Sequence, residues 1–87
     1  MSKFQAYNDP GHAWVKVPRA LLIKLGVEKH ITPFSYERGE MVYLEEDLDY
    51  GTFLNAMRSV GKTVELVNNH ANRSSKIRSY RSFSPRT

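Results

Sequence analysis

Basic and aromatic side chains alternate towards the end of this 87-residue chain, in a pattern that suits contact with phosphates and with unpaired bases. Lys and Arg neutralise phosphates and release counterions, which gives an affinity that weakens with salt. Aromatic rings stack on bases, and serine hydroxyls contact phosphate oxygens. The residues predicted to bind nucleic acid are Arg73, Lys76, Arg78, Tyr80 and Arg81, with Phe83 as a further stacking ring.

Charge is divided unevenly along the sequence. Up to Leu66 the chain carries eight basic and nine acidic residues, a net charge of −1. From Val67 to Thr87 it carries five basic and no acidic residues, a net charge of +5, so that the whole chain has a net charge of +4. A nearly neutral body with a basic tail favours an acidic polymer or surface as partner. We therefore divide the chain into a compact domain at 1–67 and a basic tail at 68–87.

Two other interpretations of the tail stay open. In one, the tail docks on the acidic stretch 45–49 of its own domain. In the other, Ile77, Tyr80 and Phe83 pack into the core as part of a last strand or turn. The serine content favours a mobile tail, whereas Ile77 and Phe83 favour one that is partly anchored.

A second function class is a protein-binding module that inhibits or modulates a host protein or a defence complex. Two aromatic side chains, whose exposure would give an apolar surface, and an acidic cluster favour it: Trp14, Tyr43, Glu45, Glu46, Asp47 and Asp49. The acidic cluster also has a simpler explanation, because negative charge is stabilised by the unpaired N–H groups and the dipole of a following helix. Trp14 likewise suits the core or a dimer interface.

Residue spacing gives no support to catalysis or metal binding. The three histidines, His12, His30 and His70, are not spaced as metal ligands with one another or with a carboxylate. The chain has no cysteine, which excludes disulfides and thiolate metal sites. The acidic run lacks the spacing and the glycine of a calcium loop. We expect no metal, no cofactor and no enzymatic activity.

Size and composition indicate one globular domain at most, with 40% hydrophobic and 25% charged residues. A chain of this length buries only a modest core, and forming a homodimer is a common way to enlarge it. No apolar stretch reaches the roughly 20 residues of a membrane span. The first residues also lack the pattern of a signal peptide. We therefore expect a cytoplasmic protein without a membrane partner.

The elements that position these residues follow from turn, cap and alternation signals. Strands are predicted at Lys3 to Tyr7, Ala13 to Val17, weakly within Ile31 to Glu37, at Met41 to Leu44 and at Lys62 to Val67. Helices are predicted from Arg19 to Leu25, ending at Gly26, and from about Asp49 to Val60, ending at Gly61. The order β-β-α-β-β-α-β predicts an α+β fold, in which a small, mostly antiparallel sheet carries helices on one face.

Three segments resemble small proteins encoded by bacteriophages, prophages and plasmids. They are Asn8-Asp9-Pro10-Gly11-His12, the stretch from Val42 to Asp47 and the stretch from Asn72 to Tyr80. The resemblance implies a mobile-element origin and a place in the cytoplasm of a bacterial host. Such accessory proteins often act by binding host machinery. The leading prediction is a small non-enzymatic accessory protein that binds DNA or RNA, a property that suits a regulator.

The stretch from Gly11 to Glu46 also resembles the swapped-hairpin domain of the AbrB, MazE and SpoVT type. The matching residues are Val15-Lys16-Val17-Pro18, Leu21, Leu25-Gly26-Val27 and a hairpin from Phe34 to Leu44 that turns at Arg38-Gly39. The resemblance implies an intertwined homodimer that binds DNA, as a transition-state regulator or an antitoxin does. In that family the short helix carries DNA-contacting arginines, whereas here the helix has only Arg19 and Lys24 as basic residues.

Overall fold

A computed structural model describes residues 2–86 and shows one sheet with two helices. The strands are β1 (Ser2–Asn8), β2 (Ala13–Pro18), β3 (Tyr36–Arg38), β4 (Met41–Glu45), β5 (Val64–His70) and β6 (Arg81–Ser82). The helices are α1 (Arg19–Lys24) and α2 (Asp49–Ser59), and 3₁₀ turns lie at Glu28–His30 and Lys76–Ser79. The predicted α+β class and the order of the first seven helices and strands are confirmed.

The six strands lie in the order β5-β1-β2-β4-β3-β6. All neighbouring pairs are antiparallel except β1 and β5, which run parallel from Ser2 opposite Val64 to Asn8 opposite His70. The parallel pair arises because α2 carries the chain from β4, in the middle of the sheet, back to its far edge. The sheet is therefore mixed, although mostly antiparallel.

Strand alternation divides the side chains between two faces of the sheet. The face under the helices holds the larger core, which is formed by Ala6, Val15, Val17, Leu22, Ile31, Val42, Leu44, Phe53, Met57 and Phe83. The opposite face holds a smaller buried cluster of Trp14, Tyr43 and Ile77. We call this second surface the aromatic face.

Both helices end where the sequence predicts. Gly26 and Gly61 adopt a φ of 76°, a left-handed conformation that glycine reaches without strain from a Cβ atom. Neither helix in the described part of the chain is long and apolar enough to cross a membrane.

The final segment, residues 75–86, is packed against the domain on both sides of the sheet, and we call it the C-terminal strap. Its 3₁₀ turn lies on the aromatic face and buries Ile77, and β6 then pairs with β3. Phe83 is buried in the core under the helices. The anchoring interpretation is confirmed for Ile77 and Phe83, and the prediction that Phe83 stacks on bases is wrong because its ring is enclosed.

A buried charge cluster holds the end of the strap. Arg19 donates from Nη1 to Glu28 Oε2 at 2.6 Å, and its Nη2 lies 2.9 Å from Glu37 Oε1 without the alignment of a hydrogen bond. The strap completes this Arg19 cluster, since the Ser84 N–H donates to Glu37 and the Arg86 N–H donates to Glu28. Arg19 is 2% exposed, so it cannot make the DNA contact that the family resemblance implies for this helix.

Candidate nucleic-acid interface

The aromatic face is formed by rings from four strands and from the strap. Trp14 and Tyr43 are buried, and half-buried side chains surround them: Tyr7, Tyr36, Met41 and Tyr80. The interpretation of Trp14 as a core aromatic is confirmed. The expectation that Trp14 and Tyr43 expose an apolar surface is wrong, because Ile77 and neighbouring strap residues cover them.

Asp9 fastens the strap to this face. The Asp9 carboxylate accepts hydrogen bonds from Arg78 Nε at 2.7 Å and Arg78 Nη2 at 2.9 Å, and from the Ser75 N–H at 2.9 Å. It also accepts from the N–H groups of Gly11 and His12 in the predicted turn between β1 and β2. We call this arrangement the Asp9 latch.

The latch neutralises Arg78. The hydrogen bond from Arg78 and the backbone N–H donors favour the ionised carboxylate, and they hold the pKa of Asp9 far below its usual range. The same pairing raises the pKa of Arg78. Arg78 was predicted to bind a phosphate, but the structure commits two of its N–H groups to Asp9 and sets its guanidinium 5.3 Å from the centre of the Trp14 ring.

A cleft opens on the aromatic face beside the strap. It has a volume of about 170 Å³ and is lined by Tyr7, Lys16, Tyr43, Ser75, Lys76, Ile77 and Tyr80. The lining contains two lysines and three tyrosines but no carboxylate. Lysine ammonium groups attract phosphates, and tyrosine rings offer flat surfaces to bases, so the cleft combines both requirements of a nucleic-acid site.

The tyrosines of the cleft are coupled to one another. The ring centres of Tyr43 and Tyr80 lie 5.1 Å apart. Burial, with Tyr80 and Tyr7 nearby, raises the pKa of Tyr43. Arg38 lies with its guanidinium carbon 5.2 Å from the centre of the Tyr80 ring, which adds a third cation beside the cleft.

The other basic residues of the tail differ in their availability. Arg73, Lys76 and Arg81 are exposed, and their side chains form no ion pair within residues 2–86. Arg86 is paired with Glu40 at 3.0 Å, which raises its pKa. Three of the five residues predicted to bind nucleic acid therefore keep a free positive charge, whereas Arg78 is latched and Tyr80 lines the cleft.

The acidic stretch 45–49 acts mainly at the start of α2. Glu45 Oε1 accepts from the N–H groups of Leu48 and Asp49, as expected for a carboxylate that precedes a helix. Asp49 is fully buried and accepts from Thr32 and Ser35, so its predicted place on an interaction surface is wrong. In residues 2–86 no side chain of the tail pairs with this stretch, which contradicts the docking interpretation.

The acidic stretch 45–49 also borders a second pocket. Its volume is about 330 Å³, and it is lined by His12, Phe34, Glu45, Asp47 and Leu48. Phe34 is 76% exposed and Leu48 is 57% exposed, which places two large apolar side chains in solvent. Glu46 and Asp47, which were predicted to take part in protein binding, are exposed, and Asp47 lines the pocket. The three histidines form no metal-binding group with other ligands in the part of the chain described here.

Three residues in or beside the cleft were not predicted from the sequence: Tyr7, Lys16 and Arg38. The alternation of side chains along a strand could have identified two of them, because Tyr7 follows Ala6, and Lys16 lies between Val15 and Val17. Residues next to core positions on a strand point to the opposite face, so both belong with Trp14 rather than with the core under the helices. Arg38 was placed in a hairpin turn, where no alternation indicates its face.

Comparisons of this chain with protein-family models, with curated proteins and with solved structures find no match. The function of this protein is therefore inferred from the geometry of the aromatic face.

Proposed function

We propose that this protein is a small, non-enzymatic accessory protein of the bacteriophage and plasmid type, which binds unpaired DNA or RNA in the cytoplasm of its bacterial host. The observation that carries the proposal is the cleft between β1, β2, β4 and the strap. Lys16 and Lys76 supply positive charge there, and the half-buried Tyr7 and Tyr80 supply rings above the buried Tyr43, without any carboxylate in the lining.

A phosphate at the cleft would meet the two lysine ammonium groups, and an adjacent base would meet the ring of Tyr80. The free cation Arg73, which precedes the 3₁₀ turn in the sequence, would extend the contact along the backbone of the strand. Arg81 is in register with Glu37 and lies on the opposite face of the sheet, so it is not part of this contact. Arg78 acts indirectly, because it holds the turn that carries Lys76 and Tyr80. A single strand fits better than a duplex, since stacking on tyrosine requires an unpaired base.

The test is fluorescence anisotropy with labelled single-stranded and double-stranded DNA and RNA at roughly 50 and 200 mM salt. We expect single strands to bind more tightly and the affinity to fall steeply with salt. The Lys16→Ala/Lys76→Ala variant should lower the salt slope by about 0.7 for each phosphate that the lysines no longer neutralise. A matched variant, Lys24→Ala/Lys62→Ala, removes two exposed lysines outside the cleft and should change the slope little.

The stacking contribution is tested separately. Tyr80→Ala should weaken single-strand binding roughly 5- to 150-fold, which corresponds to about 1–3 kcal/mol for one stacked base. Its salt slope should equal that of the wild type, because no charge is removed. Absence of binding at the lower salt concentration would disprove the proposed function.

A second candidate function is favoured by the pocket beside α2. Two exposed apolar side chains, Phe34 and Leu48, share the pocket with the carboxylates of Glu45 and Asp47, which suits a host protein segment that is apolar and basic. Under this alternative the protein is an inhibitor or modulator of its partner. Phe34→Ala/Leu48→Ala should abolish capture of one defined host protein, and Lys16→Ala/Lys76→Ala should retain it; the reverse pattern would reject this candidate.

A further inference from the structure

The outer edge of β5 is a long strand edge with no partner in residues 2–86. β5 ends the sheet and pairs only with β1, along all seven of its residues. Backbone N–H and C=O groups on the other side of such a strand are available to a further strand. The opposite end of the sheet differs, because β6 has only two residues.

β5 also lacks the features that usually protect an edge. It contains no proline, lysine or arginine, and Glu65 is its only acidic residue. Val67, at its centre, is 38% exposed, and the neighbouring Leu66 is half-buried. A partner strand would therefore form main-chain hydrogen bonds and would cover apolar surface.

We propose that a second copy of this chain occupies this edge, with β5 paired antiparallel to β5 about a two-fold axis that passes through Val67. Val67 is the middle residue of the strand, so this register uses its full length. It places Val64 opposite His70, Glu65 opposite Asn69 and Leu66 opposite Asn68, and Val67 meets its own copy.

The strand is self-complementary in this register. The two copies of Glu65 each face the amide of an Asn69 and not one another, so no like charges lie opposite. Each Glu65 also keeps its own Lys3, whose ammonium lies 3.7 Å away. An interface of this kind uses the same surface on both copies, as closed two-fold dimers require.

The dimer has a consequence for the cleft, and this consequence rests on the proposed function. Gln5 is in register with both Lys16 and Val67, so these side chains share the aromatic face. A two-fold axis perpendicular to the sheet keeps that face on the same side in both copies. The two clefts would then open on one side of a continuous sheet, and one long strand of nucleic acid could contact both.

Disulfide trapping tests the register directly, because the chain has no cysteine of its own. Opposite residues in antiparallel strands have Cα atoms about 4.5–5.5 Å apart, which lies within the range that a disulfide bridges. Val67→Cys treated with diamide should give a covalent dimer at low protein concentration. Val60→Cys, at the C-cap of α2, is more exposed than Val67 and should stay monomeric. Equal trapping of the two variants, or none of Val67→Cys, would overturn the proposal.

Sedimentation equilibrium without nucleic acid gives an independent test. Wild type should form a dimer, and Val67→Lys should raise the dissociation constant about tenfold, because like charges then meet at the axis. Mixing Val67→Lys with Val67→Glu should restore the dimer. A monomeric wild type, or an unchanged dissociation constant in Val67→Lys, would refute the interface. A dimer that binds no oligonucleotide would instead retain the interface and reject the proposed function.

Discussion

The C-terminal strap meets the body at two charged sites of opposite construction, besides the exposed ion pair of Arg86 with Glu40. In the Arg19 cluster the body supplies both signs of charge, the ions are buried, and the strap adds mainly backbone groups and the Phe83 ring. In the Asp9 latch the body supplies only a carboxylate, and the strap supplies the guanidinium of Arg78, which is 37% exposed. We infer that the first site is part of the folding of the domain, whereas the second is a local fastening of the turn at 76–79.

The largest expected effect is at the Arg19 cluster. Arg19→Met leaves Glu28 and Glu37 buried without their cation, and loss of one partner from a buried ion pair costs about 3–5 kcal/mol. Urea unfolding followed by circular dichroism measures the change in unfolding free energy. Lys24→Met, on the exposed side of the same helix, is the control and should change the stability little. A loss in Arg19→Met as small as in the control would show that the cluster does not stabilise the domain.

A smaller effect is expected where the strap crosses the aromatic face. Ile77→Ala removes a buried side chain, which costs about 2–5 kcal/mol, and we expect the lower part of this range because a surface turn can collapse around the space. The same unfolding measurement applies, with the exposed Ser79→Ala as its control. If Ile77→Ala destabilised the domain more than Arg19→Met, the proposed contrast between the two sites would be reversed.

Asp9→Asn should act locally. The variant keeps the shape of the side chain but removes the charge that holds Arg78, so the turn should open without unfolding of the sheet. Hydrogen exchange should then show faster exchange of the Arg78 and Tyr80 amides, which bond to Ser75 and Ile77, and little change in β2 and β4. Uniformly faster exchange across the sheet would contradict a local latch. Asp47→Asn, at an exposed position, is the matched control.

The smallest effect is a pH dependence that belongs to Asp9. Its pKa is lowered in the folded state, so the unfolded chain takes up the proton first and the stabilisation is lost as the pH falls below the ordinary value of about 3.9. The stability difference between wild type and Asp9→Asn should be constant above about pH 5 and should shrink towards about pH 2. A difference that is independent of pH over this range would show that the latch does not depend on the ionised carboxylate.

Local signals in the sequence predicted most of the fold. Gly26 and Gly61 end the two helices, and the turn at Asp9-Pro10-Gly11 separates β1 from β2. β6 was foreseen only in the interpretation that places Ile77, Tyr80 and Phe83 in a last strand or turn, because a strand of two residues carries no alternation and its position depends on its pairing with β3. The parallel pairing of β1 with β5 was likewise not specified, since either edge of a sheet accepts a strand that follows a helix.

The sequence predicted which types of residue form the candidate site, but it did not predict where in the fold the site lies. The tail does supply Lys76 and Tyr80. The residues that line the cleft with them, Tyr7 and Lys16, lie on strands that are far away in the sequence. The roles of Asp9 and Arg19 were hidden for the same reason: each charge is satisfied by a residue that only the folded chain brings near. Basic residues in a tail therefore predict charge, while the fold decides which of those charges are free.

The pairing of the first strand with the fifth also affects how fast this chain can fold. β1 meets β5 only after more than sixty intervening positions have been crossed, from Ser2 to Val64. β3 likewise pairs with a strand that is distant in the sequence, β6. Closing the long loops between such strands costs conformational entropy before the strand contacts offset it. Sheets that pair strands distant in sequence therefore fold slowly for their size. The parallel edge thus predicts a folding rate closer to that of all-β domains than to that of small helical proteins, and stopped-flow refolding would measure it.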